Sequence, residues 1–268
     1  MKVGALCAGY GGLELGLQLA GLETELMWVA ETDPGASKVL DKRFNVPNLG
    51  DIKLIENPVK VDAITAGFPC QPVSIAGAGA GVNDERWLID DVVRVAAAAD
   101  AQWIFLENVR GLLAPSKSEA FGQVLDALSN AGYDAKWSCV RADKSVGACH
   151  RRDRWFCIAE NTTNSVCKRL ERHRREHQLS EGSGQVNFTW GDYDTAIKRW
   201  EQVIGREAPK PVRGQRMNSR FVEWMMGLPL GWVTDIGLSF PQEIQLLGNG
   251  VVPQQVAFAY DWLLSLTD

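Results

Sequence analysis

From residue 3 to residue 159 the chain alternates short apolar runs with stretches of helical spacing, and that alternation restricts the fold more than any other feature. Runs of strand length fall at 3–7, 25–30, 61–66 and 103–107, and helical patterns at 13–20, 34–44, 90–99 and 120–131. Strands separated by helices are joined by crossovers, which lay the strands parallel and cover both sheet faces. Two further strands are expected at 133–141 and 154–159, joined by a basic loop. The reading is an α/β fold with a mostly parallel, Rossmann-like sheet. At 268 residues, and roughly 150 residues per domain, it predicts one large domain with a smaller lobe. Residues 161–215 break the rhythm with polar, turn-rich runs such as KRLERHRRE and SEGSG, as an inserted lobe would. Helical patterns return at 219–226 and 253–266. The expected division is therefore 1–160, an inserted lobe 161–215, and a return segment 216–268 that completes the first unit.

Composition excludes several classes. No run approaches the roughly 18 uninterrupted apolar residues of a membrane span. The opening MKVGAL leads into a strand without a signal-peptide pattern, so a cytoplasmic chain, in a prokaryotic cell or a phage-infected host, is expected. The six cysteines include no C-x-x-C pair, so no metal site is expected and the thiols read as reduced. The net charge of -5 hides an asymmetry: residues 141–220 hold 17 basic and 10 acidic side chains, whereas 221–268 hold five acids and no base. A basic block in an acidic chain points to a local polyanion contact, or to a solvated helix face of mixed charge.

Three motifs carry chemistry. Ala8-Gly9-Tyr10-Gly11-Gly12 follows a strand and opens a helix, where glycines admit a nucleotide close to the backbone or simply ease packing. Glu31, about 20 residues on at the end of the next strand, is placed to accept from ribose hydroxyls. Asp51, in LGDI, is placed to accept from an adenine amino group. The turn is GxGG rather than GxGxxG and holds no base for a phosphate, so an adenosyl cofactor without a diphosphate fits better than NAD. S-adenosylmethionine is that kind of cofactor. The second motif is GFPCQPVS at a strand end, where Pro69 and Pro72 stiffen the backbone around Cys70, as suits a nucleophile. The third is Glu107-Asn108-Val109 at the end of the next strand. Adjacent parallel strands set Glu107 beside Cys70, and burial raises a carboxyl's pKa so that it can donate a proton. The alternatives are a core thiol and a helix-capping acid.

Cys70 in GFPCQPVS, Glu107 in ENV, Arg152 and Arg154 in HRRDR, and Gly248-Asn249-Gly250-Val251 occur in that order. In this the chain resembles the DNA cytosine-5 methyltransferases, most closely the short prokaryotic and phage type, over nearly its whole length. The resemblance implies a target cytosine flipped from duplex DNA, Cys70 adding to ring carbon 6, and Glu107 holding the ring nitrogen and amino group. Arg154 then contacts the base or its surroundings, with Arg152 as partner. It implies a cofactor set of Ala8, Gly9, Tyr10, Gly11, Gly12, Glu31, Asp51, Ile52, Phe68, Asn249 and Val251, with S-adenosylhomocysteine as product. Residues 74–86, rich in glycine and alanine, resemble the family's mobile catalytic loop, with Ser74 and Arg86 at its serine and anchoring arginine. Residues 1–160 with 216–268 become the catalytic unit, and 161–215 the target-recognition lobe. Gln71, Ser74, Arg86, Arg151, Lys168, Arg169 and Arg172 are expected on DNA, with Arg174 and Arg175 as further phosphate contacts. Trp190, Trp200, Gln185 and Asn187 are candidate base readers. The expected partner is double-stranded DNA. A monomer is expected, and a cognate endonuclease is not required.

Three features depart from the family. Ala5 and Cys7 stand where an acid and a Phe are usual, so the aromatic contact with the cofactor falls to Tyr10 or Phe68. His150 replaces a glutamine, and the lobe is short. An RNA cytosine-5 methyltransferase would share the catalytic residues, but its CFT-type segment is missing. A silent DNA-binding homologue is opposed by the intact PCQ and ENV. An NAD oxidoreductase is the weakest contender.

Overall fold

The computed structural model describes residues 1–69, 87–163 and 189–266. Its centre is a six-stranded sheet in the order β2-β1-β3-β4-β6-β5. The strands are β1 (Lys2–Leu6), β2 (Glu25–Ala30), β3 (Ala63–Ala66), β4 (Trp103–Val109), β5 (Tyr133–Arg141) and β6 (Asp153–Asn161). The first four are mutually parallel. β6 runs antiparallel to both β4 and β5, so it alone is reversed in a sheet that is otherwise parallel. The expected basic loop explains the reversal, because a short connection between neighbouring strands makes an antiparallel pair.

The helices are α1 (Gly12–Leu19), α2 (Pro34–Phe44), α3 (Ile89–Ala98), α4 (Ser118–Asn130), α5 (Ala142–Ser145), α6 (Asp194–Ile204), α7 (Ser219–Met225), α8 (Phe240–Asn249) and α9 (Pro253–Ser265). Strand side chains alternate between faces. Leu6, Ile64, Ala66, Ile104 and Leu106 pack against α3 and α4, while Val3, Ala63 and Phe105 pack against α1 and α9. α2 starts where its sequence says it should: Asp33 accepts from the Ala36 N–H at 2.8 Å and Pro34 fills the first turn. It ends at Asn45, whose left-handed backbone (φ 53°) stops the helix.

Three helices were not expected, the first being α5 in the connection read as a basic loop. α6 lies inside the stretch read as polar lobe, and its Ile197 and Trp200 are buried with Ala36, Val39, Trp224 and Leu247 in a third cluster away from the sheet. α8 runs into the GNGV segment and ends on its Asn249. A short hairpin, β7 (Val212–Arg213) with β8 (Arg216–Met217), leads into α7.

β1 lies between β2 and β3, so the chain leaves it toward one side and later returns to the other. That reversal makes a crevice at the carboxyl ends of β1 and β3, which is where open α/β sheets bind ligands.

Candidate active site

A cavity of about 450 Å³ occupies this crevice, within the range of small-molecule sites. It is bordered by the turn after β1, by Glu31 to Asp33 after β2, by Asp51 and Ile52, by residues 67–69 after β3, by Glu107 to Val109 and Arg154, and by residues 248–251.

The glycine turn is held from three sides. Gly9 has φ 57°, and nothing lies within 4 Å of where its Cβ would stand. A side chain there would enter the cavity. The Gly9 N–H donates to Glu31 Oε2 and the Asp33 N–H to Glu31 Oε1, both at 2.8 Å. Burial pushes the Glu31 carboxyl up, and those N–H groups draw it back down. Each of its oxygens still has a lone pair for a diol. Asp51 accepts from the Lys53 N–H at 2.9 Å and so caps the turn that brings Ile52 to the cavity.

Tyr10 is buried, and its hydroxyl donates to the Val251 carbonyl at 2.7 Å. A Cβ on Gly250 would stand 1.9 Å from the Tyr10 ring, so glycine is needed there for the ring to fit. Tyr10 therefore fastens residues 250–251 over the turn. Phe68 also borders the cavity, edge-on to Trp87, and Cys7 borders it where the family carries Phe. Burial, then Glu31 and Asp51, push the Cys7 thiol up to about 12, so it stays a neutral thiol.

Behind the turn, the Trp232 indole N–H donates to the Tyr10 carbonyl at 2.8 Å. Phe44 meets Trp232 edge-on and occupies the space beside Gly11, and the Arg43 guanidinium lies 5.2 Å from the Trp232 ring centre. The loop carrying Trp232 is organised by Glu223, which is fully buried. One of its oxygens accepts from the Val233 and Thr234 N–H groups, and the other from the Gly231 N–H and the Thr234 hydroxyl.

On the far wall, Arg154 Nε sits 2.9 Å from Glu107 Oε1. Burial pushes the Glu107 carboxyl up, with Arg154 and then Arg152 pulling it down. The result is a carboxyl able to hold a proton, with a cation fixed against one oxygen. A Cβ on Gly67 would lie 3.6 Å from Glu107 Oε2, which puts the segment leading to Cys70 beside that carboxyl. Asn108 reinforces the link, since its side-chain amide donates to the Phe68 carbonyl at 3.2 Å. Cys70 itself lies outside the described residues, as do Gln71, Ser74, Arg86, the 74–86 loop, Lys168, Arg169, Arg172, Arg174, Arg175, Gln185 and Asn187.

The two arginines of HRRDR do different things. Residues two apart near a strand share a face, so Arg152 and Arg154 both point toward the cavity side while Asp153 turns away to Arg110 at 2.8 Å. Arg152 donates to the Gly248 carbonyl at 3.1 Å and to the Gly250 carbonyl, and so holds the GNGV segment. Burial and the neighbouring Arg154 push it down to about 10. His150 pairs with the Met225 carbonyl through Nε2 at 2.9 Å, and burial lowers its pKa, which favours the neutral ring. Arg151 is exposed.

One candidate base reader is corrected. Trp200 is fully buried and its indole N–H donates to the Trp224 carbonyl at 3.0 Å, so it is a core residue. Trp190 is half-buried and stacks on Phe221 with ring centres 5.5 Å apart. The sequence reading also missed Trp232, Arg43, Phe44 and Asn108. Only Asn108 carried a signal, its place in ENV.

The sheet order, the glycine turn and the acid after β2 define an α/β methyltransferase of the S-adenosylmethionine-dependent, Rossmann-like class. Structures of the same fold include a prophage-encoded chain from E. coli (TM-score 0.66, 16% identity, covering 100% of this chain and 99% of that one). They also include S. pombe Dnmt2 methyltransferase (TM-score 0.64, 15% identity, covering 100% of this chain and 99% of that one). The family model for C-5 cytosine-specific DNA methylases matches residues 1–187, and the chain belongs to that family. Among its curated relatives, the Type II methyltransferase M.NgoMIV of Neisseria gonorrhoeae is 34% identical over 166 residues, 59% of this chain and 52% of that protein. The chain spans about half the length of the curated relatives it matches.

Proposed function

We propose that this chain transfers a methyl group from S-adenosylmethionine to carbon 5 of a cytosine flipped out of duplex DNA. The observation that carries the reading is Glu107, a largely buried carboxyl with a raised pKa, braced by Arg154 and facing the cavity that the Gly9–Glu31 corner lines. The residues present fit the cofactor: Glu31 would hold the ribose diol, Asp51 and Ile52 the adenine, and the open face of Gly9 would leave room for the chain between them. When bound, S-adenosylmethionine supplies an electrophilic methyl group on a sulfonium.

The chain's own residues supply the rest. Cytosine carbon 5 is too poor in electrons to attack unaided, so a covalent step is needed. The Cys70 thiolate forms a bond to carbon 6, and the ring's displaced electron pair is stabilised as Glu107 donates its proton to the ring nitrogen. The pair then returns through carbon 5, which takes the methyl as the methyl's bond to the sulfonium sulfur breaks, that bond's pair staying on sulfur to leave S-adenosylhomocysteine. A base removes the carbon 5 proton, the carbon 6–sulfur bond breaks to regenerate the thiolate, and the ring nitrogen gives its proton back to Glu107. Arg154 keeps the Glu107 carboxyl aimed at the base throughout. Arg152, through Gly248 and Gly250, keeps Asn249 and Val251 on the cofactor side. Gln71, Ser74, Arg86, Arg151, Lys168, Arg169 and Arg172 contact the duplex, the last three on phosphates. The chain acts as a monomer in the cytoplasm and needs no partner endonuclease. Among the described residues no helix is long and apolar enough to cross a membrane.

The test compares methyl transfer to duplex DNA and to tRNA by the wild type and Cys70→Ala, with bisulfite sequencing of DNA from expressing cells. Transfer to duplex DNA that vanishes in Cys70→Ala while adenosylmethionine still binds is the expected result. Equal transfer by both forms refutes the covalent route, and transfer to tRNA alone refutes the substrate.

A further inference from the structure

The β7–β8 hairpin stands at the end of α7 remote from the pocket. Its connection is Gly214-Gln215, with Gly214 at φ 65°, the left-handed backbone a two-residue hairpin turn requires. Arg213 faces Arg216 directly across the ladder. Like charges in that position repel, and strands of two residues offer little packing to offset it. Residues 212–217 are all exposed, Val212 and Met217 by more than half. Arg213 and Arg216 have no carboxylate partner among the described residues, although Arg220 just beyond them is paired with Asp235 at 2.7 Å. Lys210 adds a third positive charge, and no acid occurs from residue 208 to residue 222.

We propose that this hairpin is a clamp on the phosphate backbone of duplex DNA, with Arg213 and Arg216 as its contacting cations. The inference rests on the reading of the pocket as a DNA-methylating site. Two opposed cations at an exposed tip are relieved by an anion lying along the tip, and a duplex presents one charge per about 1.7 Å of axis. A two-stranded ribbon is also narrow enough to enter the major groove.

The hairpin is tied to the pocket by a short rigid path, which favours the duplex engaged there over an unrelated polyanion. Asn218 closes the hairpin's base, its N–H donating to the Pro211 carbonyl at 2.9 Å and its side-chain amide to the Lys210 carbonyl at 2.7 Å. The same side chain caps α7 by accepting from the Arg220 N–H at 3.2 Å. α7 has seven residues, about 10 Å of helix. At its other end the Met225 carbonyl meets His150, two residues before Arg152. The clamp thus stands about one short helix from the strand that carries Arg154.

The experiment measures binding of the full chain to a random-sequence duplex between about 50 and 300 mM salt, with S-adenosylhomocysteine present. Each lost phosphate contact lowers the slope of log K against log salt by about 0.9, so R213A/R216A is expected to be shallower than wild type by about two. R213K/R216K keeps both charges and keeps the wild-type slope, and adenosylmethionine affinity is the same in all three. An unchanged slope in R213A/R216A with methyl transfer intact overturns the clamp alone, as does R213K/R216K behaving like the alanine variant. An equal loss on single-stranded RNA reassigns the hairpin to general polyanion binding and overturns it too. A wild type that binds no duplex overturns the reading of the pocket together with the clamp.

Discussion

At the scale of single residues, the pairing of Glu107 with Arg154 bears on the pH at which the proposed chemistry would run. In the proposed mechanism the working form of Glu107 is protonated, so activity is expected to be lost as pH rises through its pKa. Burial holds that pKa up and Arg154 is the leading influence holding it down. Arg154→Met removes the cation, so the pKa climbs and the alkaline limb of the single-turnover pH profile moves to higher pH. A limb that stays put or moves down refutes the role given to Arg154. How far these residues were legible depends on distance along the chain. Cys70, Glu107 and the glycine turn announce themselves in local motifs. The division of labour between Arg152 and Arg154 does not, because it is decided by Gly248 and Gly250, 96 and 98 residues away, and by a carboxyl on the neighbouring strand. Trp200 looked available for base reading for the same reason: the core cluster that buries it is assembled from α2, α7 and α8, remote in sequence.

At the scale of elements, the glycine turn depends on a loop that does not itself line the cavity. Glu223 on α7 gathers three backbone N–H groups and one hydroxyl, and the loop so shaped delivers Trp232 to the Tyr10 carbonyl. Trp232→Phe keeps the ring and loses the N–H. A net hydrogen bond of about 1 kcal/mol corresponds to about fivefold in affinity, so titration calorimetry should show adenosylmethionine binding about fivefold weaker, with the rate at saturating cofactor maintained. A lower saturated rate with unchanged affinity contradicts this. Several elements follow from punctuation in the sequence: β2, α2 and β5 begin and end at the residues expected, α2 because Asp33, Pro34 and Asn45 mark its limits. α8 had a readable start as well, since Ser239 and Gln242 form a capping box and Pro241 lies in the first turn. α6 had the spacing of Ile197, Trp200 and Ile204 before Gly205, but the charges around it masked the apolar stripe.

At the scale of the whole molecule, the first and last helices are one packing unit. α1 and α9 lie side by side over the sheet, and a Cβ at Gly16 would stand 2.3 Å from Val256. Gly16→Ala therefore forces the two helices apart, at about 1–3 kcal/mol, read as a lower urea midpoint with an unchanged slope. A midpoint equal to wild type would show that the contact relaxes freely. The same closure gives the Tyr10–Val251 bond, which spans 241 residues. At about 5–20 residues per second, a ribosome needs about 12 to 48 s between adding those two partners. Through that interval the nascent chain holds the glycine turn without the strap that fastens it. The cofactor turn therefore gains its fastening only once residues 250 and 251 have been made and folded back, however early the turn itself forms.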